Sequence, residues 1–175
     1  MTAIVDGSLG FTAPVGAVYN GLQSGTAQAS TSGTSITFTG IPSWAKRITV
    51  MFAGVSKSGG SPPLFQLGTS GGIVSTGYNG GSSYTGASTA GYASTAGIPV
   101  YMPSTGDIAW GAIVFTNLTS NTWVASGSFT PNGGGTINWF SAGGIALGGQ
   151  ATQLRIIMTN GTDTFTAGSI NILYE

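Results

Sequence analysis

The side chains able to do chemistry are scarce in this chain of 175 residues: four carboxylates (Asp6, Asp107, Asp163 and Glu175), four lysines and arginines, no histidine and no cysteine. Glycoside hydrolysis needs two carboxyl groups held roughly 5 to 10 Å apart, and no two of these carboxylates are neighbours in the chain. A serine nucleophile ordinarily takes its base from histidine, and zinc, copper, haem and iron–sulfur centres draw on histidine and cysteine. Ser43-Trp44-Ala45-Lys46 fits S-x-x-K, but its companion motifs are missing and its surroundings are strand-forming. The glycine runs "TSGG" and "NGGGT" lack the Lys-Ser or Lys-Thr of a phosphate loop and read as turns. Asn117-Leu118-Thr119 and Asn160-Gly161-Thr162 fit the glycosylation pattern, as chance allows in a threonine-rich chain. We therefore expect no catalytic residue, no metal and no cofactor.

Recognition chemistry is better supplied. Residues 77–95, "GYNGGSSYTGASTAGYAST", hold three tyrosines among Gly, Ser, Thr, Ala and Asn, the mixture that binding loops use for amphipathic contact and adaptable hydrogen bonding. Read as a long loop pinned between strands, this stretch offers Tyr78, Asn79, Tyr84 and Tyr92 as a binding surface. The same tyrosines equally suit a contact with a second copy. Trp139, bracketed by "PNGGGTIN" and "SAGG", is a further candidate, able to stack on a sugar ring at a loop edge or to plug the end of a sandwich. Trp44, Trp110 and Trp123 are assigned to the core or to a subunit interface.

The elements that must position these residues are strands. Ile36 and Phe38 alternate with Thr37 and Thr39, and Ile48, Val50 and Phe52 alternate with Arg47, Thr49 and Met51, the period of a strand with one buried face. "AWGAIVFTNL" sets Trp110, Ala112 and Val114 against Ile113 and Phe115, and "SINILYE" puts Ile170, Ile172 and Tyr174 on one side. Asn160-Gly161, between apolar runs, predicts a type I′ hairpin joining 154–159 to 162–166. Only "PSWAKRI" has any helical suggestion. Many short strands between turn residues predict an all-β, antiparallel sandwich or barrel. Residues 1–34, interrupted by small and polar residues and ending in "NGLQSGTAQASTSGTS" without the bulky apolar residues of a core strand, read as an extended N-terminal arm, leaving 35–175 as the β domain.

Charged residues make up 5% of the chain with zero net charge, against roughly 25% in ordinary soluble domains. Such a surface must be covered by small polar residues or by neighbouring subunits. Only Lys46 and Arg47 adjoin, so nucleic acid is not an expected partner. No basic start or long apolar run suggests targeting or membrane insertion.

Residues 34–72 carry Phe38, Gly40-Ile41-Pro42, Trp44, Lys46-Arg47-Ile48-Thr49-Val50 and Phe52, followed by a Ser/Gly turn and Gln66-Leu67-Gly68. This segment resembles tail-fibre and other minor structural proteins of tailed bacteriophages, and 34–175 is broadly similar to them. The resemblance implies a jelly-roll-like β domain, commonly a homotrimer, displayed on the virion. It implies docking onto other virion proteins, here through residues 1–34, and contact with a host-surface glycan or protein. The short arm, without a triple-stranded shaft, leaves a capsid or tail decoration protein with a purely structural role as the alternative.

Overall fold

The computed structural model describes residues 4–6, 10–12, 21–86, 90–132 and 137–175, the first two segments by their backbone only. Every regular element among them is a strand: β1 (Ile4–Asp6), β2 (Gly10–Thr12), β3 (Gln23–Ser24), β4 (Gln28–Ala29), β5 (Ser35–Thr39), β6 (Arg47–Lys57), β7 (Pro63–Thr69) and β8 (Gly72–Ile73). They continue with β9 (Asn79–Thr85), β10 (Ala90–Ser94), β11 (Ile98–Pro99), β12 (Ile108–Thr119), β13 (Thr122–Pro131), β14 (Asn138–Ala146), β15 (Gln153–Met158) and β16 (Phe165–Tyr174). All pairing is antiparallel. The large sheet runs β10-β9-β14-β13-β12-β6-β16-β3, with β4 also on β16. The small sheet runs β11-β7-β15-β5, with β8 on β7, and β1 pairs only with β2.

Alternation decides what lies between the sheets. Ile48, Val50 and Phe52 of β6, Ile113 and Phe115 of β12, and Ile170 and Ile172 of β16 are all buried, while their sequence neighbours point outward. From the small sheet Phe65, Leu67, Leu154 and Ile156 face them, each 0% exposed. Phe65 is the keystone: its ring lies 5.5 Å from Phe52, 6.1 Å from Phe115 and 6.3 Å from Phe129 between centroids. Rings from both sheets thus interlock, and each buried phenylalanine contributes about 1.5 to 3 kcal/mol by leaving water.

The large sheet is bent by bulges where β6 meets β12 and β16. Gly168 is required at one of them, because its φ is +92° and a Cβ there would lie 2.3 Å from the Gly54 carbonyl oxygen.

Three local expectations change. Asn160-Gly161 does not close a hairpin: β15 belongs to the small sheet and β16 to the large one. Both edges of β15 are already filled, by β5 and β7, so β16 has no edge left to join. Gly161 has φ +69° and its N–H donates to the Met158 carbonyl, while the Asn160 side-chain oxygen accepts from the N–H groups of 162 and 163. The turn is one that crosses between sheets, and Asn160 itself does not take the positive φ of a type I′ turn. Second, "PSWAKRI" is a turn leading into β6, closed by the Ala45 N–H on the Pro42 carbonyl. Third, the segment assigned to an arm is part of the domain from β3 onward: β3 and β4 pair along the outer edge of β16, and Ser30 is buried, its Oγ donating to the Ala167 carbonyl at 2.7 Å.

Candidate functional site

Residues 77–95 are not one loop. Most of them form β9 and β10, an edge ladder in which Tyr92 stands opposite Ser82 and Tyr84 opposite Ala90. Glycine and serine, poor strand formers alone, are held straight here by pairing with β14. The pairing also separates the predicted residues. Tyr78 is 3% exposed and Trp139 1%, so both are core side chains and neither offers a free face. Tyr78 is tied inside the small sheet, its hydroxyl accepting from the Leu67 N–H at 2.6 Å and donating to the Leu67 carbonyl at 3.3 Å. Asn79 is exposed at the start of β9, and Tyr92 is half-buried on the edge strand.

Two predicted residues do come together. Tyr84 and Trp139 are directly opposed between β9 and β14, on the face that looks toward the small sheet. Tyr84 also stacks on Tyr101 with centroids 5.4 Å apart and planes 6° from parallel. At this end of the sandwich they border a cavity of about 220 Å³, walled by Pro103, Pro131 and Ile137, with Ser104 and Asp107 on its polar side. Asp107 caps its own turn: one carboxylate oxygen accepts the Ser104 N–H at 2.8 Å. The signal that could have located this turn in the sequence is Pro103-Ser104-Thr105-Gly106-Asp107, a proline-to-aspartate turn run.

Behind the turn lies Lys57, 2% exposed. Its Nζ donates to the Gly59 carbonyl at 2.6 Å and the Ser104 carbonyl at 3.1 Å. Burial lowers its pKa, and the charges of Asp107 and Asp163 oppose that shift. Asp163 is held below the usual carboxylate range by hydrogen bonds from the Asn160 side chain and the Ser61 N–H, and further by Lys57. Three of the chain's eight charged residues therefore gather at this end and brace the 57–61 and 103–107 loops. The next inward row, Ser82 opposite Ser141, is buried with hydroxyls unpartnered among the described residues.

The outer face of the large sheet is a second feature. One row across it reads Ala142, Ser126, Val114, Thr49, Leu173. The adjacent row reads Phe140, Ser128, Ala112, Met51, Asn171. Neither contains a charge. Arg47, paired with Glu175 at 3.1 Å, marks one end of this face. Trp110, Val124 and Phe140 stand 47%, 42% and 44% exposed.

The architecture defines an antiparallel β-sandwich with an aromatic-bordered end cavity and a broad neutral sheet face. No family model, curated protein or solved structure matches the chain.

Proposed function

We propose that this chain is a structural protein of a tailed-bacteriophage virion, of tail-fibre or receptor-binding type, that assembles with copies of itself through the outer face of its large sheet. The observation that carries the assembly is the pair of neutral rows spanning β14, β13, β12, β6 and β16. The whole outer face of these five strands, about 4.8 Å apart and roughly ten residues of about 3.3 Å long, covers roughly 800 Å², the area each partner gives to a standard stable interface, and the two neutral rows form its middle. The two neutral rows bring no like-charge repulsion when they meet their own copy, the Arg47–Glu175 pair at one end compensates its own charge, and the exposed Phe140 within the rows and Val124 in the row of Arg47 gain by leaving water. The virion assignment rests on the resemblance of residues 34–72 and 34–175. Docking onto the particle then falls to the chain before Gln23, because β3 and β4 are engaged with β16.

The test places a charge in the middle of the neutral row. Ser126→Glu projects from an exposed position on β13, so the sandwich itself should fold and melt as before. Sedimentation should show the wild type as an oligomer, a trimer by the resemblance, and S126E as a single subunit. A wild type that sediments as a lone subunit at high concentration, or an S126E oligomer indistinguishable from it, would overturn the assembly reading.

A further inference from the structure

We infer that the cavity at the β9–β14 end of the sandwich is a binding site for one neutral or amino-bearing pyranose ring of a surface glycan. This deepens the receptor-binding reading, on which it rests only for where the glycan would be met.

The chemistry of the walls selects the ligand. A pyranose is amphipathic, with C–H groups on its faces and hydroxyls around its rim. The cavity is likewise divided, with Tyr84, Pro131 and Ile137 supplying apolar wall, buried Trp139 bordering it without a free face, and Ser104 and Asp107 supplying polar groups. Aromatic faces carry negative potential and attract the weakly positive C–H bonds of a sugar. One Asp107 oxygen is engaged by the Ser104 N–H, and a carboxylate has further lone pairs that can accept from hydroxyls, the stronger charge-assisted type of hydrogen bond. Its negative charge disfavours uronic and sialic acids and favours a sugar carrying only hydroxyls or an ammonium. At about 220 Å³ the space falls below the roughly 300 to 1,000 Å³ of sites for larger ligands, so one ring fits and an extended chain must leave through the mouth.

The site is also braced in advance. Lys57 holds the Ser104 carbonyl from behind, the Asp107 cap closes the 104–107 turn, and Tyr101 backs Tyr84. Ligand-ordering costs are lowest where such walls are set before binding.

The experiment uses the full chain. Neutral, amino and acidic monosaccharides are screened by saturation-transfer NMR, and bacterial surface oligosaccharides are screened on an array. The proposal expects a neutral or amino sugar to receive saturation through its ring C–H protons, acidic sugars to be rejected, and Asp107→Asn to lose at least about tenfold in affinity. Because D107N could loosen its turn, Ile137→Trp provides a second variant: position 137 is exposed, so the larger ring should block the mouth without disturbing the core, and binding should vanish. No saturation of any neutral or amino sugar, or binding that survives both variants, would overturn the proposal. Sedimentation of the same samples separates this outcome from failure of the assembly reading, since S126E single subunits should still bind the monosaccharide.

Discussion

Replacing Tyr78 by phenylalanine removes one oxygen atom, and the structure gives that atom a definite load. Along the free edge of β7, β8 pairs at Gly68 and β11 pairs at Phe65, which leaves Leu67 between two short ladders. The Tyr78 hydroxyl fills the gap, accepting the Leu67 N–H at 2.6 Å, while the Leu67 carbonyl retains the Val74 N–H at 3.0 Å. Tyr78→Phe therefore strands a buried N–H, at a cost of about 1 to 3 kcal/mol. For a domain of this size that lowers Tm by about 2 to 4 °C per kcal/mol. A pH dependence sharpens the test. Burial pushes the Tyr78 phenol up to about 12, against the opposing pull of its Leu67 hydrogen bond and the Arg155 charge. A group whose pKa is raised on folding contributes its full stability below the unfolded value near 10 and loses it as pH climbs through the folded value. Two pKa units correspond to about 3 kcal/mol, of which about 2 kcal/mol is gone by pH 11.5. Urea unfolding of wild type and Y78F at pH 7.5 and pH 11.5 should show the wild-type advantage shrinking by that amount. A Y78F penalty below about 0.5 kcal/mol at pH 7.5, or one that stays constant to pH 11.5, would refute the assigned role of the hydroxyl.

Lys57→Met should cost about 1 to 3 kcal/mol at neutral pH, because the Gly59 and Ser104 carbonyls lose their shared donor. The pKa of Lys57 is lowered on folding, so between that lowered value and 10.5 the unfolded chain holds more protons and wild-type stability rises with pH. Unfolding titrations should find this rise missing in K57M, and an identical pH profile would count against a buried ammonium. Gly168→Ala should destabilise by more than about 3 kcal/mol, since the new methyl group meets the Gly54 carbonyl at a positive φ. A calorimetric Tm for G168A within about 2 °C of wild type would show that the bulge relaxes.

The proposed assembly face and the proposed sugar site draw on different physics. A sheet face gains by excluding water over a broad area, so a single added charge suffices to oppose association. A one-ring pocket would gain from a few placed groups, so the proposal rests on Asp107 and Tyr84. Because the two features lie on different parts of the sandwich, S126E and D107N should act independently.

Strand identity was legible in the residues themselves: Ile48, Val50 and Phe52, or Ile170 and Ile172, repeat every second position, and a pleated backbone turns that period directly into one buried face. The scarcity of ionisable groups likewise set limits on chemistry before any fold was known. Partner choice between strands was not legible. Asn160-Gly161 joins two strands with a turn signal, but whether they pair depends on whether β15 still has an open edge, and β5 and β7, from distant parts of the chain, had filled both. The same non-local pairing straightened residues 79–85 against β14, sank Tyr78 into the small sheet, and set Tyr84 opposite Trp139 beside Asp107. Side-chain period is a property of each strand alone, whereas register and edge occupancy belong to the assembled sheets, and only those brought the cavity together.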